Sequence, residues 1–448
     1  MRQVIYGGLL VLLTIFSGCG RHAGLEEPAE WDIAPWVYSV GVMHAEDPLG
    51  LREIADPSMP PVFAGDDCSD ILALFAADPF LFHTNDTWYL FAEVWNIDTA
   101  QGDIALATSS DGVEWEYRGV VLDEPFHLSY PCVFAWNDNI YMVPESYRTG
   151  TIRLYRADPF PDNWVHVVDL VNGVYVDSTP FYHAGRWWMF AGVRSNLDLH
   201  LFWSDDLYSG WQEHPRSPVI RGDGRRARPG GRTFVDDDGR LIRIAQDCLP
   251  TYGNQVRAFE VTELTTDTYA ERELANSPIL DGTIFPWASA GMHHFDPQRV
   301  PGEPGRWLVA IDGHVIVQPE ETLDIGFANG MALRGMTVLP QAVRPGENIL
   351  LRFFWKGVSS PMPDPPVCFV HIRYNGQIIF QADYQTMQGR EVYENLVRVP
   401  DDAPAGEYEI RIGLHWPERR RRARIHGDFW NSRRVVTIPA VFSVLVEE

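Results

Sequence analysis

The sequence predicts an all-β protein, a five-bladed β-propeller over residues 33–325 followed by an immunoglobulin-like β-sandwich over 331–448. Three observations predict it. A two-strand unit recurs five times through the first two-thirds of the chain, helical periodicity is nearly absent, and after about Gly330 the strands take the spacing of a sandwich.

The unit is an apolar strand, a short polar turn and an aromatic-rich strand. It reads 77–82, turn Asn85-Asp86, then 88–91, and returns as 130–134, turn Asn137-Asp138-Asn139, then 140–143. The third copy is 178–182, turn at Gly185, then 187–190; the fourth is 231–234, turn 236–239, then 241–244. A weaker fifth runs 291–295, a longer loop, then 307–311. Between copies lies a second strand pair, as at 104–107, Ser110-Asp111-Gly112 and 115–117, with 152–155 and 199–203 in the same place later. Each unit thus holds about four strands over roughly 50–60 residues, the size of a propeller blade. Segment 36–42 reads as a strand with no neighbour to pair with, and is expected to complete the last blade and cover its open edge. In the C-terminal part, 349–354, 368–372 and 409–414 read as strands, and 399–408 as a turn leading into the last of them.

Composition sets the limits. At 45% hydrophobic and 22% charged residues the chain is a folded protein, and its 448 residues exceed one ordinary core. A formal net charge of −25 repels phosphate backbones, so nucleic acid is not an expected partner. The basic run 419–422 with Arg424 reads as a solvated loop or as a contact for an anionic glycan or lipid. Most of the 16 Trp are expected to be strand residues, and a few to line a sugar-binding cleft. At the N-terminus, residues 1–19 read as a signal peptide ending in the lipobox-like Phe16-Ser17-Gly18-Cys19, with Cys19 as the lipidation site and 20–32 as a linker. Phe16 is an unusual start for that box, so plain cleavage stays open; the expectation is an exported protein of a bacterial cell envelope, held to the membrane by a lipid anchor. Cys68, Cys132, Cys248 and Cys368 fit no metal-binding spacing and are expected mostly as buried free thiols.

In a propeller the first strand of each blade lines a central channel, so residues far apart in sequence meet at one mouth. Asp78, Tyr130 and Asp177 open the first three units, Arg228 and Arg232 flank the fourth, and His293 and His294 the fifth. Glu93 and Glu145 end second strands and return to the same mouth. Glycoside cleavage needs two carboxyls of separated pKa, which this set supplies. The competing reading is an Asp-Pro turn at a strand start and a solvated Glu at a strand end. Arg228-Pro229-Gly230-Gly231-Arg232, Gln246-Asp247-Cys248 and Tyr252-Gly253 form a surface for hydroxyls or an anion, or else a buried Arg–Asp brace. Adjacent strand residues face opposite ways, so only one of His293 and His294 is expected to face the channel, and His294 is taken as that one. No cofactor is expected, and the channel leaves room only for a structural metal ion.

These strings, together with Ala77-Asp78-Pro79-Phe80, Pro144-Glu145-Ser146 and Asp177-Ser178-Thr179, resemble the N-terminal domain of glucosamine inositolphosphorylceramide transferases, from about Trp36 to Gly313. The resemblance implies membership of the wider group of five-bladed propellers that includes arabinanases, xylosidases and fructosidases. It places the plant enzymes' transferase chemistry in a separate C-terminal domain; the tail here carries no nucleotide-sugar motif, so transferase activity is not expected. The glycosidase relatives imply that Asp78 matches a catalytic base and Asp177 loosely an acidic partner. Their general acid is a Glu on an inner strand of a middle blade, where this chain has Arg228-Pro229 while Glu145 arrives on another strand. The expectation is a glycosidase-like protein acting on a polysaccharide, with Asp78 as base, Glu145 as acid and Asp177 orienting. Glu93, Tyr130, Arg228, Arg232, Gln246, Asp247, Tyr252 and His294 would hold the glycan. The rival is a non-catalytic glycan-binding or polysaccharide-assembly accessory protein.

Overall fold

The computed structural model describes residues 36–317, 319, 321–327, 329–356, 366–385, 392–416, 421–423, 425–426 and 435–445. The signal segment, Cys19, the linker 20–32 and, in the basic run, Arg419, Arg420 and Arg424 lie outside them. The all-β expectation holds: the described residues form seven sheets joined by turns and a few single-turn helices.

Five antiparallel sheets follow one another through residues 36–316. The first orders Ala73–Thr84, Thr87–Asn96, Gln101–Ser109 and Glu116–Leu122 side by side. The second orders Ser129–Trp136, Asn139–Glu145, Thr151–Ala157 and Trp164–Asn172, and the third Val176–His183, Arg186–Gly192, Leu199–Ser204 and Gln212–Glu213. The first two strands of each sheet are joined by a two-residue turn with both residues at positive φ: Asn85 and Asp86, Asn137 and Asp138, Ala184 and Gly185. That geometry matches the twist of the paired strands.

The fourth sheet departs from expectation. Instead of one strand over 231–234, it opens with two fragments, Arg228–Pro229 and Phe234–Val235, that pair with Leu241–Asp247 on either side of a break. The break falls at Gly231, where φ is +139° and a Cβ would lie 1.9 Å from the Phe295 carbonyl oxygen. The close approach forbids a side chain and prevents a regular ladder. In the fifth sheet the edge strand is Phe295–Arg299 rather than 291–295, and Trp307–Ile316 follows. Trp36–Ala45 then pairs with Trp307–Ile316 along ten residues, so the partnerless N-terminal strand joins this sheet, with the short Phe63–Ala64 on its outer side.

Alternation along the second strands explains how the sheets stack. Leu90 and Ala92 pack with Leu308 and Ala310 of the fifth sheet, while Phe91 packs with Val133 and Met142 of the second. Tyr141 and Val143 meet Trp187 and Met189 of the third sheet, whereas Trp188 and Phe190 meet Leu241 and Val261 of the fourth. Ile242 and Ile244 in turn join Val309 and Ile311 of the fifth. Successive side chains point to opposite faces. Burial on both faces is why these strands read as nearly unbroken apolar runs.

The first strands are tied together by polar groups. Arg232, from the fourth sheet, donates to Asp296 of the fifth at 2.8 Å, to the Val133 carbonyl of the second at 2.9 Å and to the Leu81 carbonyl of the first at 3.1 Å. Tyr130 hydroxyl donates to the Gly231 carbonyl and accepts from the Gly231 N–H, and it lies 2.8 Å from Thr179 Oγ1 of the third sheet.

Two further sheets make up the C-terminal part, one ordered Val392–Arg398, Asn348–Lys356, Ala332–Leu339, Glu321–Phe327 and Ile425–His426, the other built around Val436–Val444, Gly406–Trp416 and Val367–Tyr374. They share one core that includes Leu351, Phe353, Val370, Ile410 and Phe442. Glu321–Phe327 pairs with Ala332–Leu339, so the C-terminal part begins before residue 325, earlier than the expected boundary. Among the described cysteines, Cys68, Cys132, Cys248 and Cys368 are free, and all but Cys68 are buried.

Arg232→Met should leave the buried Asp296 carboxylate without its partner and cost about 3–5 kcal/mol. Urea unfolding followed by Trp fluorescence measures it. Adding Asp296→Asn should recover part of the loss, because the two side chains act as a unit.

Candidate functional site

In the first three sheets the opening strand carries a bulge at the same place. Register slips between Ala77 and Phe80, Ser129 and Cys132, and Val176 and Thr179. Inside each slip sits a non-glycine residue in left-handed conformation: Asp78 at φ 51°, Tyr130 at 46° and Asp177 at 50°. Bulges re-aim a side chain, and such backbone strain persists only where surrounding contacts hold it. Across the ladder stand Glu93 opposite Ala77, Glu145 opposite Ser129 and Gln246 opposite Arg228. First and second strands thus deliver polar groups to one end.

Asp177 and Arg228 form a buried bidentate pair, with Nε to Oδ2 at 2.6 Å and Nη2 to Oδ1 at 3.2 Å. Arg228 also donates to Asn196 Oδ1 at 2.9 Å and lies over the Tyr252 ring, 5.1 Å from its centroid. Glu145 joins them: its Oε2 accepts from the Asp177 N–H at 3.3 Å and lies 3.5 Å from Arg228 Nη2. Burial, and next the negative charge of Asp177, push the Glu145 carboxyl well above its ordinary range, against the pull of Arg228.

Asp78 sits in a different field. Its Oδ1 is 3.6 Å from His294 Nδ1 and 3.8 Å from His293 Nε2, and its N–H donates to Asp312 Oδ2 at 2.9 Å. Burial works against its charge, but His294, His293 and Arg228 outweigh burial and hold the carboxyl below its usual range. Glu93 lies deeper, with His127 Nε2 at 3.9 Å from Oε1. Burial, then the charges of Asp78, Glu145, Asp177 and Asp312, raise the Glu93 carboxyl well above normal. His127 accepts the Gly102 N–H at Nδ1, and burial followed by Arg148 brings it down to about 4, so its proton is on Nε2.

Buried and half-buried aromatic rings border these carboxyls. Centroid contacts run from Tyr252 to Trp36 at 6.3 Å, from Tyr38 to Phe75 at 5.5 Å, on to Trp95 at 6.0 Å, His127 at 5.8 Å and Tyr147 at 6.4 Å. Tyr38 stacks on His293 at 4.6 Å, which joins the rings to the Asp78 group.

The predicted residues divide. Asp78, Glu93, Glu145, Asp177, Arg228 and Tyr252 share this end of the molecule. Arg232 is a correction: its donors go to Asp296, Leu81 and Val133, so of the two readings left open for the arginines it takes the brace. Tyr130 likewise uses its hydroxyl on Gly231 and Thr179, and Asp247 is taken up by Arg257 at 2.8 Å and the Leu249 N–H. Gln246 is buried and its Nε2 has no partner among the described residues. The two histidines do not face opposite ways, because they precede the regular strand and both reach Asp78. His294 is fully buried, with its ring against Phe80 and Tyr130.

Sequence reading missed Asp312, His127 and the pairing role of His293. A signal for Asp312 was present: like Glu93 and Glu145 it follows the apolar run of a second strand, in Ala310-Ile311-Asp312. Asp78, His293 and Asp312 bring potential ligand atoms within 4.8 Å of one another. Both Asp312 oxygens also accept N–H groups, one of them from His293 Nδ1 at 2.7 Å, while His293 Nε2 stands 3.8 Å from Asp78 Oδ1.

A profile of the protein family described as "Glucosamine inositolphosphorylceramide transferase 1, N-terminal" matches residues 36–314. The chain belongs to this family. It is 35% identical over 308 residues to the rice (Oryza sativa subsp. japonica) protein named glucosamine inositolphosphorylceramide transferase 1, covering 64% of this chain and 41% of that one. To the Arabidopsis thaliana protein of the same name it is 33% identical over 330 residues, 67% of this chain and 42% of that one. The chain therefore spans about two-fifths of these plant relatives. Among solved structures, the catalytic domain of a Coprinopsis cinerea GH62 alpha-L-arabinofuranosidase overlaps 53% of this chain and 90% of its own, at 13% identity and a TM-score of 0.41.

The raised Glu145 carboxyl has a consequence for stability. An unfolded Glu titrates near about 4.3. Between that value and the higher folded one, the folded state holds the extra proton, so stability falls as pH rises through this window. Glu145→Gln removes this contribution. Thermal melts from acid to mildly alkaline pH should show the variant gaining on the parent as pH rises, by about 1 kcal/mol or more.

Proposed function

We propose that this chain is a carbohydrate-active protein whose first part is a five-bladed β-propeller and whose second part is an immunoglobulin-like sandwich. Five antiparallel sheets in chain order support the propeller, as do apolar clusters that link each sheet to the next and the fifth to the first. Tyr408, whose hydroxyl donates to the Pro404 carbonyl four residues upstream at 2.8 Å, supports the immunoglobulin-like reading, since that corner bond recurs in such sandwiches.

The single observation that carries the functional reading is the opposition between carboxyls. Asp78 is held ionised by two imidazoles and Arg228, while Glu145 is pushed toward its neutral acid form. Carboxyls with separated pKa values are what acid–base cleavage of a glycosidic bond requires. Asp78 acts as base, Glu145 as proton donor to the leaving oxygen, and Asp177 fixes Arg228 beside them. The half-buried aromatic rings offer flat faces for sugar rings, and Gln246 and Tyr252 offer polar groups to hydroxyls. The substrate is an extracellular or envelope polysaccharide, and the chain is an exported lipoprotein anchored through Cys19. The relatives are named for a transferase; this reading gives the matched region glycan holding and cleavage, not group transfer.

A second reading keeps the same cleft as a glycan-binding accessory without cleavage. It is favoured by the tight Asp177–Arg228 pair, which braces the site as well as it would orient a substrate.

Asp78→Asn decides between them on a glycan panel scored for binding and for released sugar. Cleavage should drop by about 10²–10⁴-fold with binding kept. Cleavage that survives the change would refute the base assignment, and a panel bound but never cut would favour the accessory reading. Trp95→Ala should weaken binding by about fivefold to tenfold under either reading.

A further inference from the structure

Asp312 is fully buried, yet its carboxylate is the most heavily used acceptor at this end of the molecule. Oδ1 accepts from His293 Nδ1 at 2.7 Å, from the His294 N–H at 3.0 Å and from the His293 N–H at 3.3 Å. Oδ2 accepts from the Asp78 N–H at 2.9 Å. One side chain thus pins the left-handed bulge residue that aims Asp78 and the imidazole that faces it.

We propose that Asp312 is a positioning residue, which acts through His293 to present an Nε2–H to Asp78 and so fixes both the orientation and the charge of that carboxylate. A carboxylate on Nδ1 selects the orientation of an imidazole and favours its charged form. With Nδ1 committed to Asp312, the nitrogen that remains is Nε2, 3.8 Å from Asp78 Oδ1. The ring cannot swing away. Tyr38 stacks on one face, at 4.6 Å and 22°, and Tyr252 presses edge-on at 5.6 Å.

The groups facing His293 are Asp312, Asp78, Asp177 at longer range, His314, Tyr38 and Tyr252. Burial and then the His293 charge bring His314 down to about 4, and burial keeps both tyrosines protonated, so the carboxylates dominate the field. Burial of His293 opposes its charge, but Asp312, then Asp78 and Asp177, together outweigh it and raise the imidazole above its ordinary value. A purely structural staple would need only acceptors for the three backbone N–H groups. The bond to Nδ1 adds an electrostatic function.

The proposal takes from the functional reading only that Asp78 is the acting carboxylate, and its test needs no substrate. NMR titration of the full chain, with labelled histidine and aspartate, follows His293 and Asp78 directly. His293 should titrate above a free imidazole. In Asp312→Asn its midpoint should fall by about one pH unit or more, and that of Asp78 should rise. If Asp312→Asn does not fold, His293→Gln leaves the backbone contacts of Asp312 in place and should fold with the Asp78 midpoint raised. An imidazole neutral at pH 7 in the parent, or an unmoved Asp78 in folded His293→Gln, would overturn the proposal. A protein that cleaves no glycan but passes this titration would lose the hydrolase reading and keep the relay.

Discussion

The guanidinium of Arg232 is the point on which the first five sheets depend. It reaches from the fourth sheet to a carboxylate of the fifth and to backbone carbonyls of the first and second, and Tyr130 extends the same network to the third. Opening strands packed this closely leave backbone groups that a neighbouring strand does not pair, and burying such groups unmet is costly. One planar cation with five donors can satisfy several from a single position. The arrangement imposes a strict demand next door. Gly231 must carry no side chain, because the Phe295 carbonyl occupies the place of a Cβ.

With the strands fixed in this way, the molecule gathers Asp78, Glu93, Glu145, Asp177 and Asp312 at one end, all buried or nearly so. They cannot all remain charged in one low-dielectric region. The conflict is resolved by position. Asp177 is given Arg228, Asp78 is given two imidazoles, Asp312 is given four N–H contacts, and Glu93 and Glu145 are pushed toward their neutral acids. The chemical potential of the site is therefore a by-product of how the fold avoids stacking five negative charges. That is a physical basis for assigning acid and base roles, and it is independent of the names of the relatives.

Family membership spans residues 36–314, the five-sheet part, and stops before the two C-terminal sheets. The transferase name belongs to plant proteins of which this chain spans about two-fifths. The site itself carries carboxyl, imidazole and arginine groups set among aromatic rings. On the proposed function, those groups hold and cleave a glycan.

Much of the fold was legible in sequence because strand alternation and two-residue turns are local. Asn85-Asp86 and Asn137-Asp138 announce their hairpins, and the shared placement of Asp78, Tyr130 and Asp177 at strand openings reflects one recurring bulge. Local pattern could not separate Arg228 from Arg232. The two share a residue type and a five-residue motif, yet Arg228 pairs with Asp177 beside the other carboxyls and Arg232 with Asp296 between the sheets. Nor could it show that His293 and His294 both reach Asp78, since they precede a regular strand, or that Asp312 binds Asp78 from 234 positions away. By itself the sequence determined which residues alternate, turn and bulge, because those depend on neighbours along the chain. Only the tertiary structure decided which charge meets which, because the partners come from different sheets.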